Sequence, residues 1–378
     1  MALSRRNFLR NLGVGTAAGA ASHSSFFGIA KAAVFEPSGT MEFSGPILLN
    51  SNENAYGPSK KVKEAMHSAL PRANRYPFLE YDRLVQRIAA FHQVKPEQLI
   101  LGSGSTEILR IAAFTFLGVG KQLVQASPTF EAMEACAHCS RADIVSVRLN
   151  REYAHDLEGM LKRGNASTST LYYVCNPNNP TASLTPRKDL ETFIDKLPKA
   201  SYVLIDEAYH HYAGESDYKS FIEHPIDHDR VIVSRTFSKV YGLAGLRLGY
   251  AIAHPAIAQK MRSHAITGSI NEVVIQAAIA ALEDIEGMQD SVKRNTDDRQ
   301  EFVNHAMARG LMPIDSHANF VFLNVHRPAK EVIQYFEENN ILVGRRVPQW
   351  DNYIRVSLGL PEDMSAFWRT WDMLRTRL

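Results

Sequence analysis

The chain has 378 residues, 45% of them hydrophobic, and its 42 lysine and arginine residues nearly balance 40 acidic residues, so the net charge is +2. This composition predicts a large soluble protein with one big core and a second, smaller one. A near-neutral charge gives no reason to expect a nucleic-acid partner, and no apolar run is long enough for a transmembrane helix.

The first 32 residues carry three features of an export signal in the right order. Residues 4–10, SRRNFLR, resemble the twin-arginine pattern S-R-R-x-F-L-K, a weakly apolar run follows at 12–21, and residues 30–32 offer an A-x-A cleavage site. We therefore expect export by the twin-arginine machinery into the periplasm or another extracytoplasmic space, with a mature chain from about Ala33. A disordered basic tail is the alternative interpretation.

Helical and strand-like segments alternate along the mature chain after a polar loop at residues 50–58. The apolar patterns predict, in chain order, a helix at 59–70, a strand at 99–101, a helix at 108–116, a strand at 123–126, a helical stretch at 129–139, strands at 171–175, 202–205 and 231–233, mostly helical chain at 259–290, a long helix at 291–309, a strand at 318–325, a helix at 331–339, and strands at 341–343 and 353–357. This order is typical of an α/β protein with a mostly parallel sheet flanked by helices, followed by a smaller α+β domain.

Residues 234–249 combine a strand end, a lysine, two hydroxyls and an arginine. Thr236 and Ser238 lie close to Lys239, and Arg247 follows a glycine-rich turn. The hydroxyls and the guanidinium suit a phosphate dianion, and a lysine beside such a site can form a Schiff base with the aldehyde of a phosphorylated cofactor. The natural candidate is pyridoxal phosphate. An ordinary strand–turn segment with a surface lysine is the alternative.

Two other strand ends carry groups that suit the same cofactor. The glycine-rich turn at 102–107 leads from a strand into a helix, so its N–H groups and the helix dipole favour an anion near Ser105 and Thr106. Asp206 ends the apolar run at 202–205, where a central parallel strand delivers it at the C-terminal end. A carboxylate there can keep a pyridine nitrogen protonated, so that the ring withdraws electrons from a substrate. A helix-capping role is the alternative for Ser105 and for Asp206.

The sequence contains three cysteines and does not decide whether two of them form a disulfide. Cys136 and Cys139 have a C-x-x-C spacing, and an exported protein reaches an oxidising space. The helical composition of residues 129–139 favours two thiols on one helix face instead, and no second pair completes a zinc site. Cys175 lies in an apolar run and is predicted to be a small core residue.

Four segments resemble the fold-type-I pyridoxal-phosphate aminotransferases related to histidinol-phosphate aminotransferase. They are NENAYGP at 52–58, NPNNPT at 176–181, SRTFSK…GLAGLRLG at 234–249 and IRVS at 354–357. The resemblance covers roughly residues 45–375. It departs from the family at Ala55, which replaces a proline, and at Ala182, which replaces a glycine and predicts a slightly different turn. The resemblance implies a large cofactor-binding domain at 59–285, a small domain at 286–378, and a segment at 33–58 that joins the small domain and covers the active site.

The resemblance also implies roles for individual residues. Lys239 holds the cofactor and moves the Cα proton, Asp206 pairs with the pyridine nitrogen, and Tyr209 and Asn179 bond to the ring oxygen. The other residues implied to contact the cofactor are Phe130 at the ring face; Ser105, Thr106, Thr236, Ser238 and Arg247 at the phosphate; and Tyr76, which reaches in from the neighbouring subunit of a homodimer. The residues implied to contact the substrate are Tyr56 and Arg355, of which Arg355 grips the α-carboxylate. Arg345, in the stretch VGRR at 343–346, is a candidate for recognition of a substrate side chain or phosphate, and a solvated basic loop is the alternative.

These features predict a transaminase that moves an amino group between an amino acid, or a histidinol-phosphate-like amine, and a 2-oxo acid through Lys239. A decarboxylase or lyase on the same fold is the first alternative. A cofactor- or amino-acid-binding regulator is the second, although no helix-turn-helix domain is visible in the sequence.

Overall fold

The computed structural model of the protein describes residues 45–165, 168–214, 218–223 and 228–376, so the predicted signal peptide at 1–32 lies outside the described residues. Within these ranges the strands are β1 (Ile47–Leu49), β2 (Leu99–Gly102), β3 (Gln122–Ser127), β4 (Asp143–Arg148), β5 (Thr170–Cys175), β6 (Tyr202–Asp206), β7 (Val231–Thr236), β8 (Gly249–Ala253), β9 (Met312–Pro313), β10 (Phe320–Asn324), β11 (Ile341–Val343) and β12 (Tyr353–Ser357). The α-helices are α1 (Lys60–Ala69), α2 (Phe78–His92), α3 (Ser105–Phe116), α4 (Ala132–Cys139), α5 (Leu157–Arg163), α6 (Arg187–Asp195), α7 (Pro255–Arg262), α8 (Glu272–Glu283), α9 (Ile285–Ala308), α10 (Ala329–Glu338) and α11 (Pro361–Thr376).

A seven-stranded sheet forms the centre of the protein. Its strand order is β2-β8-β7-β6-β5-β3-β4, and β8 alone in this sheet runs antiparallel to its neighbours. Every residue of β5 and β7 is buried, which explains why these strands read as continuous apolar runs rather than as alternating patterns. The predicted mostly parallel sheet is confirmed.

Helices cover both faces of this sheet. One buried apolar cluster includes Leu84 and Ile88 of α2 and Ile275 of α8, whereas a second includes Ile108 of α3 and Met261 of α7. The chain therefore forms the layered helix–sheet–helix arrangement that the alternating elements predict. Because parallel strands deliver their C-terminal ends to one edge, β5, β6 and β7 present their last side chains side by side.

Two small sheets and a third apolar cluster involve the C-terminal part of the chain. Strand β10 pairs antiparallel with β9 and β12, and β1 pairs in parallel with β11, with Ile47 opposite Ile341. Phe302 of α9 packs with Phe367 and Trp368 of α11 in this cluster. The N-terminal segment thus joins strands from the end of the chain, while the predicted boundary after residue 285 falls at the first residue of α9 and stays a prediction.

Several elements differ from the sequence expectations. The helical chain expected at 259–290 is interrupted between α7 and α8, where Asn271 caps the new helix by accepting from the Val274 N–H at 3.1 Å. The long helix begins at Ile285 rather than at 291 because Asp284 caps it. The elements that were not predicted are strands β1, β4, β8 and β9 and helices α2, α5, α6 and α11. None of the described helices is long and apolar enough to cross a membrane.

The C-x-x-C pair lies on α4, as the helical composition predicts. Cys136 and Cys139 are both free thiols, and so is the buried Cys175 at the end of β5. The disulfide alternative does not occur in this structure.

Candidate active site

A cavity of about 410 Å³ opens where the central strands end. Its walls come from the ends of β5 to β7, the start of α3, the loop at 50–53 and strand β12. It brings together all the predicted site residues except Tyr56 and Tyr76, namely Ser105, Thr106, Phe130, Asn179, Asp206, Tyr209, Thr236, Ser238, Lys239, Arg247, Arg345 and Arg355. Residues that are up to 250 positions apart in the sequence therefore face one space.

Lys239 presents its amine to this cavity. The Nζ atom donates to the backbone oxygens of Ser51 at 3.3 Å and Asn52 at 2.9 Å, and it lies 5.6 Å from the centre of the Tyr209 ring. Burial, and next the charge of Arg355, lowers the pKa of Lys239 from its ordinary value to about 8. An amine with this pKa is partly neutral near pH 7 to 8, which is the form that attacks an aldehyde or accepts a proton.

Asp206 is held rigidly at the end of β6. Only 1% of the residue is exposed. Its Oδ1 accepts from Ser234 Oγ at 2.8 Å, and its Oδ2 accepts from the Tyr173 hydroxyl at 3.0 Å. Burial is the largest cause of a raised pKa at Asp206, although both hydroxyls act in the opposite direction. A cation placed against this carboxylate would restore its charged form, as a protonated pyridine nitrogen would.

An anion cradle lies beside Lys239, where the start of α3 meets Arg247. Gly104 precedes α3 with a φ of +79°, and among the described residues no side chain caps this helix. A Cβ on Gly104 would lie 2.3 Å from Arg247 Nη2, so the glycine allows the guanidinium to approach the helix start. A Cβ on Gly249 would likewise lie 2.4 Å from the Ser105 nitrogen. Backbone N–H groups, a helix dipole and a guanidinium thus converge on one point.

The hydroxyl groups of Thr236 and Ser238 complete this cradle. Thr236 Oγ1 donates to Ser238 Oγ at 2.9 Å, and the Ser238 N–H donates to Thr236 Oγ1 at 3.1 Å. Arg247 Nη1 donates to the Ala244 oxygen at 2.8 Å and to Ser238 Oγ at 3.4 Å. The hydroxyls and the guanidinium are therefore fixed relative to one another before any anion arrives.

Tyr209 and Asn52 form a buried link between the two sides of the cavity. Asn52 Nδ2 donates to the Tyr209 hydroxyl at 3.0 Å, and the Asn52 N–H donates to Ser357 Oγ on β12 at 2.8 Å. Burial raises the pKa of Tyr209 above its ordinary value, so the phenol is a hydrogen-bond donor at neutral pH. Asn52 has a φ of +54°, which asparagine tolerates better than most residues.

Arg355 faces the cavity from β12. Nη1 donates to Asn179 Oδ1 and Nη2 donates to the Asn50 oxygen, both at 2.6 Å. Because the amide oxygen of Asn179 is used by Arg355, its NH₂ group is the part that can serve a ligand. A guanidinium has five donors, so Arg355 keeps donors for a carboxylate after these two bonds.

Arg345 lies at the mouth of the same cavity, where its Nη2 is ion-paired with Glu131 Oε1. Phe130, the residue before Glu131, also lines the cavity. Glu131 was not predicted from the sequence, because a single acidic residue after a strand carries no signal of its own.

Two predicted residues lie elsewhere. Tyr56 lines a neighbouring cavity of about 330 Å³, where its hydroxyl donates to Asp298 Oδ2 at 3.1 Å. Tyr76 is 79% exposed and stacks on Phe78 with ring centres 5.7 Å apart. A single chain therefore does not bring either tyrosine to the main cavity, and their expected roles stay predictions.

The turn around Ala182 corrects one expectation. We expected alanine to avoid the left-handed backbone conformation that the family's glycine allows, yet Ala182 adopts a φ of +59°. Its N–H donates to the Asn178 oxygen at 2.8 Å, and its own oxygen accepts from the His317 N–H at 2.9 Å. These bonds hold a conformation that costs alanine roughly 1 kcal/mol. Asn179 lines the cavity.

The sequence also missed Asn50, Asn52, Tyr173 and Ser234, which hold Arg355, Tyr209 and Asp206. Asn52 lies in the recognised motif NENAYGP. That motif predicted a loop over the active site but no role for the Asn52 side chain.

These residues fit pyridoxal phosphate. The glycine cradle and Arg247 suit the phosphate, the buried Asp206 suits a protonated ring nitrogen, and Lys239 supplies the amine. Among the described residues, no group of three or more His, Cys, Asp or Glu side chains could hold a metal ion.

The family model described as "Aminotransferase class I and II" matches residues 44–366. Histidinol-phosphate aminotransferase 1 of Idiomarina loihiensis is 33% identical over 333 residues, which is 87% of this chain and 89% of that protein. Histidinol-phosphate aminotransferase of Caldicellulosiruptor saccharolyticus is 35% identical over 322 residues, which is 85% of this chain and 89% of that protein.

Solved structures show the same fold. Histidinol-phosphate aminotransferase of Sinorhizobium meliloti, in complex with pyridoxal-5'-phosphate, aligns with a TM-score of 0.82 at 27% identity, covering 88% of this chain and 92% of that one. L-threonine-O-3-phosphate decarboxylase of Porphyromonas gingivalis aligns with a TM-score of 0.76 over 87% of this chain and 99% of that one. At 19% identity, this second likeness shows the fold alone.

Proposed function

This chain belongs to the class I and II aminotransferases and is a pyridoxal-phosphate-dependent transaminase, and we propose that its amino donor is a 2-amino acid. The observation that carries this proposal is Arg355, a guanidinium that faces the cavity and is fixed by Asn179 and Asn50. A planar guanidinium matches a carboxylate, and a bidentate pair would fix both the charge and the orientation of the substrate. Nothing in the comparisons favours the decarboxylase alternative.

Each residue has a task that follows from its position. Bound pyridoxal phosphate supplies a ring that withdraws electrons from the substrate Cα. With the cofactor bound, Asp206 would stabilise positive charge at the ring nitrogen, Tyr209 would donate a hydrogen bond to the ring oxygen, and Arg247 with the start of α3 would hold the phosphate. Lys239 Nζ, with its pKa lowered to about 8, would take the proton from the substrate Cα and deliver it to the carbon that carries the cofactor's aldehyde.

The test is a visible absorption scan of the purified mature protein, titrated with a panel of amino acids and with histidinol phosphate. We expect 2-amino acids of the panel to remove the visible band of the bound cofactor and to release their 2-oxo acids. If histidinol phosphate alone produced this change, the proposed donor would be wrong. Carbon dioxide or ammonia released without a keto acceptor would instead indicate the lyase alternative.

Histidinol phosphate is the second candidate donor, because the chain resembles proteins that carry this name and because Arg345 places a second cation in the cavity. The predicted export argues against it. An amine made in cytoplasmic biosynthesis would not meet an enzyme outside the cytoplasm. The same titration decides between the two donors.

We further propose that the protein is exported by the twin-arginine machinery. The support is the motif at residues 4–10 and the A-x-A site at 30–32. Changing Arg5 and Arg6 together to lysine should leave the protein in the cytoplasmic fraction, whereas the unchanged chain should appear in the periplasm at its mature mass. Equal distribution of the two proteins would refute export by this route.

We also propose a homodimer in which Tyr76 completes the partner's site. The support is an exposed apolar segment around it, in which Leu70, Phe78 and Leu79 are 54%, 59% and 81% exposed. Light scattering should give twice the mass of the mature chain. Lys239→Ala and Tyr76→Ala subunits, each nearly inactive alone, should regain activity when mixed, because one site of each mixed dimer is then intact. Mixed dimers without recovered activity would place Tyr76 outside the partner's site.

A further inference from the structure

The substrate end of the cavity continues into a second space. A cavity of about 180 Å³ adjoins the main one, and Glu131, Asn179, Arg345 and Arg355 line both. A substrate whose carboxylate lies on Arg355 would therefore send its side chain towards Glu131 and Arg345. The charge on these two residues decides which side chains are tolerated there.

Glu131 neutralises the cation nearest to this space. Arg345 Nη2 is ion-paired with Glu131 Oε1, and the next arginine in the chain, Arg346, is occupied by Asp351, with Nε 2.8 Å from Oδ1. The charges on the shared wall are then two arginines and one glutamate. Their sum is one positive charge, which a single α-carboxylate balances. A second anionic group on the substrate would meet Glu131 as a like charge.

The ion pair between Arg345 and Glu131 can separate at little cost to the stability of the fold. The side chains of Arg345 and Glu131 are 67% and 52% exposed, and exposed pairs contribute little to the stability of a fold. The loop that carries Arg345 is held separately, because Ser127 Oγ donates to Gln349 Oε1 at 2.8 Å. Burial is the largest cause of a lowered pKa at Arg355. Of the two paired charges, Arg345 lowers this pKa and Glu131 raises it, so the pair is electrostatically coupled to the carboxylate site.

We infer that Glu131 is a specificity-determining residue that favours substrates with an uncharged side chain over substrates with a second anionic group. This inference rests on the proposed function, because it assumes that the substrate α-carboxylate binds Arg355. It assigns to Glu131 a selective role in the reaction rather than a role in the fold.

The experiment measures binding and turnover separately in the cofactor-loaded protein. Maleate, a dicarboxylate, and 3-phenylpropionate, a monocarboxylate, are titrated by calorimetry into the unchanged protein and into Glu131→Gln. We expect Glu131→Gln to tighten maleate binding by about threefold to tenfold and to change 3-phenylpropionate binding by less than about twofold. The ratio of kcat/KM for glutamate to that for phenylalanine should rise by the same factor.

Two further variants make the result decisive. Arg345→Gln should weaken maleate binding, and the double variant should not show the sum of the two changes, because the two side chains contact each other. Glu158→Gln removes another exposed carboxylate, which is paired with Lys162 on α5, and it should change the binding of neither ligand. The matched control shows whether net charge alone explains the effect.

The outcomes distinguish a failure of the role inferred for Glu131 from a failure of the proposed amino donor. If Glu131→Gln changed the affinities for maleate and 3-phenylpropionate equally, or weakened maleate, the role of Glu131 would be refuted while the transaminase stands. If neither carboxylate competed with amino acids and none of the amino acids was a donor, the proposed 2-amino acid donor would fail as well.

Discussion

The two ends of the cavity are constructed in opposite ways. At the cofactor end, Asp206 is 1% exposed and is fixed by two hydroxyls from neighbouring strands. At the substrate end, Glu131 and Arg345 are more than half exposed and hold each other. The cofactor end is therefore preorganised for a single constant ligand, while the substrate end can rearrange for donors and acceptors of different shape and charge.

Arg355 and Asn52 connect these two ends. Arg355 reaches from β12 to Asn179, and Asn52 binds Tyr209 on one side and Ser357 on the other. Substitution of Arg355 or Asn52 should therefore affect both ends of the cavity. Substitution of Asp206 affects the cofactor end alone, and substitution of Glu131 affects the substrate end alone.

The largest effect is expected at Lys239. Lys239→Ala removes the amine that both attacks an aldehyde and moves a proton, so kcat should fall by about 10⁴-fold or more. Circular dichroism should stay unchanged, because the lost contacts are hydrogen bonds to two backbone oxygens. Lys260→Ala, an exposed lysine on α7, is the control. Retained transamination in Lys239→Ala would overturn the assigned mechanism.

A smaller loss is expected at Asp206. Asp206→Asn keeps the shape and the hydroxyl partners but removes the negative charge, so kcat should fall by roughly 10²- to 10³-fold while the protein stays folded. Steady-state kinetics with saturating donor measure the change. Asp195→Asn, at the exposed end of α6, should retain full activity. An Asp206→Asn enzyme within threefold of the unchanged one would show that this charge is not used.

The cradle at Gly104 should respond through cofactor affinity. A Cβ there would lie 2.3 Å from Arg247 Nη2 at a backbone φ of +79°, so Gly104→Ala should weaken pyridoxal phosphate binding by about tenfold to a hundredfold. Gly245→Ala is the matched control, because a Cβ there meets nothing within 4 Å although Gly245 lines the same cavity. Equal affinities for the two variants would argue against a cradle at Gly104.

The cofactor end could largely be predicted from the sequence because its residues follow strand ends and glycine turns. Asp206 is the last residue of β6, Lys239 lies three residues after the end of β7, and Ser105 lies three residues after the end of β2. These strands run parallel to one another and carry such residues to one edge. The central strands were predicted to within a few residues of their bounds for the same reason. The hydroxyls that fix Asp206 were missed, since they lie within strands and only pairing brings them to it.

The substrate end could not be predicted in the same way. Arg345 and Arg355 were expected there, whereas Glu131 lies 214 residues from Arg345 and belongs to no motif that marks it. Strand β8 is fully buried but was missed because three of its five residues are glycine or alanine, which are weak strand formers. Helix α2 was missed because only Leu84, Ile88 and Ala89 of its 15 residues are buried.

The pH dependence of cofactor capture by Lys239 should also respond to Arg355, which connects the two ends of the cavity. Pyridoxal phosphate reacts with the neutral amine of Lys239, whose pKa is lowered to about 8, so the capture rate by cofactor-free protein should rise about fourfold from pH 7.5 to pH 9 and then level off. Arg355 contributes to this lowering, so Arg355→Gln should shift the midpoint to higher pH. A rate still climbing above pH 10 would mean that Lys239 behaves as an ordinary exposed lysine.

The smallest effect concerns thermal stability, and it measures the contrast between the two ends directly. Ser234→Ala leaves the buried Asp206 carboxylate without one donor, which should cost about 1–3 kcal/mol, while Glu131→Ala should cost less than about 1 kcal/mol because its pair is exposed. Scanning calorimetry on the cofactor-free proteins gives the Tm values. Ser365→Ala, which removes an exposed hydroxyl from α11, is the control for Ser234→Ala. A Glu131→Ala protein as destabilised as Ser234→Ala would mean that the ion pair at the mouth supports the fold, and a pair with that role could not open for a substrate.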